Sequence, residues 1–252
     1  MVDLHSHVLP GIDDGAPDLN VALELARAAI ANGITHIVCT PHIHPGRYDN
    51  SPEIINSAHR KLLHAIADEQ LALEIAAAAE VRFGIELIDA AQQGTLPFLG
   101  QWHEKPVLLL EFPPGEIPYG AERLTEWLVS RGIVPMIAHP ERNKAVLRNP
   151  ARLKPFLQQG CMLQVTAGSV AGRFGRPCQD LSNQLLTAEV VTVLATDTHN
   201  LDHRPPDLYE GMACAAAVVG DAMARRLVEE NPWEIAQFHF CAPAQSRSCA
   251  AT

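Results

Sequence analysis

The chain has 252 residues, a length at which α/β barrels commonly form one unit, and 47% of them are hydrophobic, enough for a sizeable core. Its formal net charge of −10 argues against a general nucleic-acid binder, although bound cations could still reverse the field at a local phosphate site. No basic and apolar leader opens MVDLHSH, no long apolar run follows, and the six cysteines show no CxxC spacing. The expectation is a cytoplasmic protein with reduced thiols, no direct membrane insertion and no nucleic-acid partner.

Short apolar runs alternate with helical patterns along the whole chain. A strand is predicted over residues 2–5, followed by HSHVLPGIDDG, where His5, His7 and the Asp13-Asp14 pair surround a Pro-Gly turn. PDLNVALELARAAIANG puts Leu19, Ala22, Leu23, Ala26 and Ile30 on one helical face and stops at Gly33. The second strand, 34–40, runs into TPHIH with His42 and His44. In SPEIINSAHRKLLHAIADE, Ser51 can cap a helix and Pro52 fits its first position. A third strand over 73–79 ends at Glu80, and a helix over 85–93 follows. The fourth strand, 107–111, ends at Glu111, and the fifth, 134–138, runs into AHPER with His139 and Arg142. Helices are predicted over 121–131 and 150–159. The sixth strand, 162–166, ends in LQVTAGS without an obvious ligand. After a helix over 178–187, the seventh strand, 190–195, runs into TDTHN with Asp197 and His199. Helices over 207–219 and beyond Asp221 precede a small polar tail, CAPAQSRSCAAT.

Seven continuously apolar strands with intervening helices point to an α/β fold, a seven-stranded parallel barrel or a distorted relative of the eight-stranded one. Residues 1–240 are expected to form one domain, with 241–252 a poorly ordered tail. In a parallel barrel the strand ends share one rim, so residues far apart in sequence can meet. An isolated HxH is often an ordinary loop, and a lone Glu at a strand end is often solvated. Six of seven strand ends carrying His, Asp or Glu together point to a metal centre.

These segments resemble the PHP superfamily of metal-dependent phosphoesterases, and within it the protein-tyrosine phosphatases of capsular and exopolysaccharide systems. The resemblance rests on DLHSHVLPGIDDG, CTPH, AAAAE, LLLEFPP, IAHPER, LQVTAGSVAGRFG and ATDTHNLDHRPP, spanning residues 3–206. It implies a distorted (β/α)7 barrel of the PHP type holding two to three divalent ions. Of these, one would be bound by His5, His7, Glu80 and Asp197, a second by Glu80, Glu111 and His139, and a third by Asp14, His42 and His199. Asp14 is chosen over Asp13 by motif match alone. The ligands suit manganese first, with iron, cobalt or zinc as alternatives, because no thiolate is among them.

Such ions would neutralise a phosphate dianion and acidify water. Arg142 and Arg204 would clamp the phosphate, since a guanidinium fork matches its oxygens. Arg47 and Tyr48 are candidates for the mouth of the site, and His203 for a proton donor. The resemblance implies a phosphotyrosine protein substrate, the cytoplasmic tyrosine-rich tail of a membrane-linked tyrosine kinase. The alternatives are another PHP phosphoesterase, acting on histidinol phosphate, nucleotides or nucleic-acid ends, and a silent regulatory binding module. Near the end, CAPAQSRS matches the C-x5-R spacing of cysteine phosphatases. Five residues after Arg247 are too few for the helix that such a loop needs, so the spacing is read as chance.

Overall fold

A computed structural model describes residues 1–241. The expectations for the tail beyond Cys241, including the spacing to Arg247, lie outside the described residues.

Ten strands form in chain order: β1 (Val2–Ser6), β2 (His36–Cys39), β3 (His42–Ile43), β4 (Glu74–Ala77), β5 (Glu80–Arg82), β6 (Gly100–Trp102), β7 (Lys105–Glu111), β8 (Val134–Ala138), β9 (Met162–Thr166) and β10 (Val193–Ala195). They fall into two sheets, β1-β2-β4 and β10-β9-β8-β7-β5-β3, parallel throughout except for β6 against β7. The sequence predicts seven strands, and the difference has a backbone cause. The second strand path is interrupted at Pro41, which lacks an N–H for the ladder, and the third at Ala78-Ala79 beside it. Each splits into a lower piece (β2, β4) and an upper piece (β3, β5). Across the bends Ala78 N still donates to Cys39 O at 2.8 Å and Glu80 N to Pro41 O at 3.1 Å, so each pair is one strand path. Counted by path, seven strands run β1, β2/β3, β4/β5, β7, β8, β9, β10. The ring closes where Asp197 N donates to His5 O at 2.8 Å and His7 N to Thr198 O at 2.9 Å. This is a distorted seven-stranded parallel α/β barrel.

The distortion lies between the fourth path and its neighbour. Val81 and Arg82 of β5 pair with β7 at the rim, but lower down Val107 of β7 takes Gly100 of the antiparallel β6 as its neighbour. The helix Asn231–Phe240 packs against β6 and plugs that end. Its Ile235 and Ala236 join Leu4, Val38, Leu109, Met136 and Val193 in one buried cluster inside the barrel. Small residues, Ala78, Ala138 and Ala195, occupy that cluster too. A larger apolar cluster lies between the strands and the outer helices.

The helix signals act as expected. Asp18 caps Leu19–Ala31 by accepting from Asn20 N and Val21 N, and Ser51 caps Pro52–Asp68. One predicted helix differs, and one forms that was not predicted. Residues 150–159 form a 3-10 turn (Pro150–Leu153) and then a short helix from Lys154, and a separate helix, Lys144–Arg148, is capped by Asn143. No described helix is long and apolar enough to cross a membrane.

Candidate metal centre

Two backbone devices assemble the rim. The seam between β1 and the exit of β10 sets His5 and His7 beside Asp197. The HSHVLPGIDDG loop then folds back on β1, with Ala16 N donating to His7 O at 3.0 Å. Gly15 passes so close that a Cβ there would sit 1.9 Å from the His7 carbonyl oxygen, so only glycine fits. That fold-back delivers both aspartates. His139 and Asp197 have φ of 33° and 53°, a left-handed conformation that is unfavourable for residues with a Cβ by roughly 1–3 kcal/mol. His139 directly follows β8 and Asp197 lies two residues past β10, where the chain turns over the rim.

At the centre stand four atoms. His5 Nε2 lies 3.2 Å from His7 Nε2 and 3.3 Å from both Glu80 Oε2 and Asp197 Oδ1; His7 Nε2 lies 3.4 Å from each of the same oxygens. Two imidazole nitrogens and two carboxylate oxygens of different residues thus approach one another closely, a donor set of the kind that binds a divalent ion. The far nitrogens fix the rings: His5 Nδ1 pairs with Gln164 Oε1 at 2.9 Å and His7 Nδ1 with Asp13 Oδ2 at 2.8 Å. With Nδ1 donating, each Nε2 lone pair faces the centre, as a ligand's must. Glu80, fully buried, reaches further. Its Oε1 accepts from His139 Nε2 at 2.7 Å and its Oε2 lies 2.9 Å from His42 Nδ1.

Around this core Asp14 Oδ1 lies 3.4 Å from His42 Nε2 and 3.5 Å from His199 Nε2. Asp13 is otherwise engaged, accepting from His7, His42 N and Gly15 N. Geometry thus separates two aspartates that the sequence leaves equivalent. The candidate ligand atoms close into four groups within 4.8 Å: His5 with His7 and Glu80; His5 with His139 and Asp197; His42 with Glu80 and Glu111; and His7 with Asp14, His42 and His199. The grouping differs from the expected one at Glu111, which lies with His42 rather than His139, at His139 and Asp197, which lie together with His5, and at His7, which also joins the Asp14, His42 and His199 group. Arg82 Nη1 holds Glu111 Oε2 at 2.9 Å.

The charges fit a cation. Four buried atoms, His42 Nδ1, Glu80 Oε2, Asp197 Oδ1 and His199 Nε2, have no hydrogen-bond partner although they face the cluster. Leaving such atoms unpaired costs about 1–3 kcal/mol each, a penalty that metal ligation would remove. Burial opposes ionisation of Asp197, but Arg142, His5 and Arg204 hold its carboxyl well below the usual range. Burial is outweighed in the same way at Glu80, chiefly by His5 and His139. Burial, and then the neighbouring Glu80 charge, push Glu111 up to about 7. Burial and Arg142 bring His139 down to about 4.

Arg142 and Arg204 both donate through Nη2 to Asp197 Oδ2, so the two expected clamps share one ligand carboxylate as partner. The Nε of each is buried and unpartnered. Both line a cavity of about 290 Å³, together with Asp14, His42, Glu80, Glu111 and His139. Arg47 and Tyr48 line it as well. His203, with its backbone N–H on Asn200, is exposed and lines a separate small recess behind Arg204. The sequence reading missed several residues that hold the rim. Gln164 is an amide side chain in the middle of the largely apolar β9, which was its signal, and it serves the strand end that lacks a ligand. Buried Asp3 accepts from Thr196 N at 3.0 Å and ties β1 to β10. Arg82 stands two residues from Glu80, on the same face of a strand. Phe174 lies under the Arg142 guanidinium at 4.8 Å.

The family described as capsular polysaccharide synthesis, CpsB/CapC, matches residues 1–237. The chain is 34% identical over 230 residues to the tyrosine-protein phosphatase YwqE of Bacillus subtilis (strain 168), covering 91% of this chain and 89% of that protein. It is 27% identical over 243 residues to the tyrosine-protein phosphatase CpsB of Streptococcus pneumoniae, covering 93% of this chain and 98% of that one. Among solved structures, one from the work on YwqE and CpsB as unique metal-dependent tyrosine phosphatases superposes with a TM-score of 0.87 at 32% identity, covering 94% of both chains. A probable 2-pyrone-4,6-dicarboxylic acid hydrolase of Acinetobacter baumannii, at 14% identity and a TM-score of 0.50 over 94% of this chain and 99% of that one, shares the fold alone. With sequence, barrel and rim in agreement, the chain belongs to the CpsB/CapC family.

Proposed function

We propose that this protein is a metal-dependent phosphatase that hydrolyses phosphotyrosine in proteins. The observation that carries this reading is the meeting, on one rim, of a cage of unpaired ligand atoms with two arginines whose Nε atoms are also unpaired. His5, His7, Glu80 and Asp197 would hold one ion, Asp14, His42 and His199 another, and Glu111 and His139 complete the set around Glu80. Manganese is the expected metal, with iron, cobalt or zinc as alternatives. When bound, the ions supply Lewis-acid neutralisation of the phosphate and lower the pKa of water enough to provide a nucleophile.

The chain's own residues do the rest. Arg142 and Arg204 orient the phosphoryl group and take up its developing charge. Phe112, Pro114 and the Tyr48 ring give the cavity apolar wall for an aryl leaving group. The expected substrate is the cytoplasmic tyrosine-rich tail of a membrane-linked tyrosine kinase in capsular or exopolysaccharide synthesis, which places the enzyme in the cytoplasm. Residues 1–240 act as one barrel domain. The test is elemental analysis of purified protein beside a turnover panel of phosphotyrosine peptide, phosphoserine peptide and histidinol phosphate. A preference for phosphotyrosine that chelation abolishes is the expected result. Preference for histidinol phosphate, or no turnover by the metal-loaded protein, would defeat the reading.

A further inference from the structure

The cavity is lined by four arginines, and three of them are already engaged. Arg142 and Arg204 hold Asp197, while Arg82 holds Glu111 and the Phe112 carbonyl. Arg47 is different. Among the described residues no carboxylate lies within ion-pair distance of it, and its guanidinium rests 5.0 Å above the Tyr48 ring. The Tyr48 ring in turn lies nearly parallel to His42, at 9° and 5.5 Å. Arg47, Tyr48 and His42 therefore form a stack running from the mouth of the cavity to its floor.

The backbone that presents this stack is closed on itself. His44 N donates to Tyr48 O at 3.0 Å and Tyr48 N to His44 O at 2.8 Å, across a Pro45-Gly46 turn whose glycine has φ of +79°. Proline followed by a positive-φ glycine is the composition that a type II turn requires. Gly46 N donates to Asp49 Oδ1 at 2.7 Å, and Asn50 Nδ2 ties the segment to His42 O at 2.8 Å and Ile12 O at 2.9 Å. A guanidinium held over an aromatic face still has N–H groups to offer, and these match a carboxylate fork. On a chain with a net charge of −10, an exposed cation without a carboxylate beside the cavity calls for an anionic partner from outside.

We propose that Arg47, held on the Tyr48 ring by the Pro45-Gly46 turn, is a specificity-determining residue that binds an acidic side chain flanking the phosphotyrosine. The inference rests on the phosphotyrosine reading above and names the peptide class that this site prefers. An exposed arginine–carboxylate contact is modest, so the preference for Asp or Glu flanks over Ala flanks should be about two- to fivefold in kcat/KM, and weaker at high salt. It should lie in KM, because the contact is made equally in ground and transition states.

The experiment measures kcat and KM of the metal-loaded protein on three phosphotyrosine peptides with acidic, alanine and lysine flanks, using wild type, Arg47→Ala, Arg47→Glu, Tyr48→Phe and Tyr48→Leu. The expected result is an acidic preference in wild type that collapses toward one in Arg47→Ala and inverts toward the lysine peptide in Arg47→Glu. Tyr48→Phe should keep the preference, because the ring remains, and Tyr48→Leu should lose it. An acidic preference that survives in Arg47→Ala, or a wild type indifferent to flanks, overturns the proposal while leaving the phosphatase reading intact. Absence of turnover on all three peptides overturns both.

Discussion

Asp197 meets two demands with one carboxylate: Oδ1 faces His5 and His7, and Oδ2 takes both Arg142 and Arg204. The arginines thus join phosphate recognition to the metal cage. Either one alone can steady Oδ2, so Arg142→Ala and Arg204→Ala should each retain metal, whereas the double variant should bind it roughly 10- to 100-fold more weakly. Phosphotyrosine turnover should fall roughly 10²–10³-fold in each single variant, as for a lost oxyanion donor, and lysine should restore only part of it. Elemental analysis beside steady-state kinetics tests both halves. An alanine variant with full metal and full kcat/KM would reduce that arginine to a salt bridge. Glu80 has the other central role, since its two oxygens reach His139 on one side and His5, His7 and His42 on the other. Glu80→Ala should therefore lose more metal than His199→Ala, because it removes negative charge from between neighbouring cations. Equal metal contents in the two variants would refute a bridging role.

At the scale of elements, the helix Asn231–Phe240 closes the end of the barrel opposite the rim, with Ile235 fully buried among the interior side chains. Ile235→Ala should destabilise the fold by about 2–4 kcal/mol through the cavity it leaves, lowering the melting temperature by roughly 5–15 °C. The metal content of the folded variant should stay unchanged, since the plug touches no ligand. A thermal melt within a degree of wild type would mean that the helix does not seal the interior. The sequence predicts helix beyond Asp221 but not its bounds or its place as a plug, because Asn231–Phe240 serves β6 and the barrel interior together. Strand existence was legible, because buried parallel strands are continuously apolar. The bends at Pro41 and Ala78 were not, since no local pattern separates one long strand from two short ones in series. The ligand types were legible for a different reason: histidines and carboxylates directly after apolar strands have no role in a core. Their fine positions were not, because Asp13 and Asp14 differ only in how the Gly15 fold-back turns them, and Glu111 has a partner, Arg82, that no local pattern announces.

Over the whole molecule, the metal centre makes stability depend on pH in opposite senses with and without metal. In the metal-free protein Glu111 is raised from 4.5 to about 7 by burial and then by Glu80. At His42 burial works in the other direction, yet Asp14 and Glu80 prevail and raise it from 6.5 to about 9. A raised folded pKa gives stability that is complete below the unfolded value and lost as pH rises through the folded one. Glu111 therefore ceases to contribute between about pH 4.5 and 7, and His42 between about 6.5 and 9. His139, lowered from 6.5 to about 4, has the reverse sign: its contribution is present above 6.5 and is lost as pH falls through 4. Above about pH 7 an unfolded imidazole is already largely neutral, so His139 and the other lowered histidines add little to the slope, and the metal-free melting temperature should decline from pH 7 to 9 as Glu111 and His42 lose their protons. Metal binds only the deprotonated ligands, so its affinity should increase over the same interval, with release of protons. The stabilisation conferred by manganese, taken as the difference between paired thermal melts, should thus widen from pH 7 to 9. Calorimetry in two buffers of different ionisation enthalpy should give different apparent heats. A constant difference between the melts, together with buffer-independent heats, would mean that Glu111 and His42 are already deprotonated before metal arrives and that the cage is preformed in charge as well as in shape.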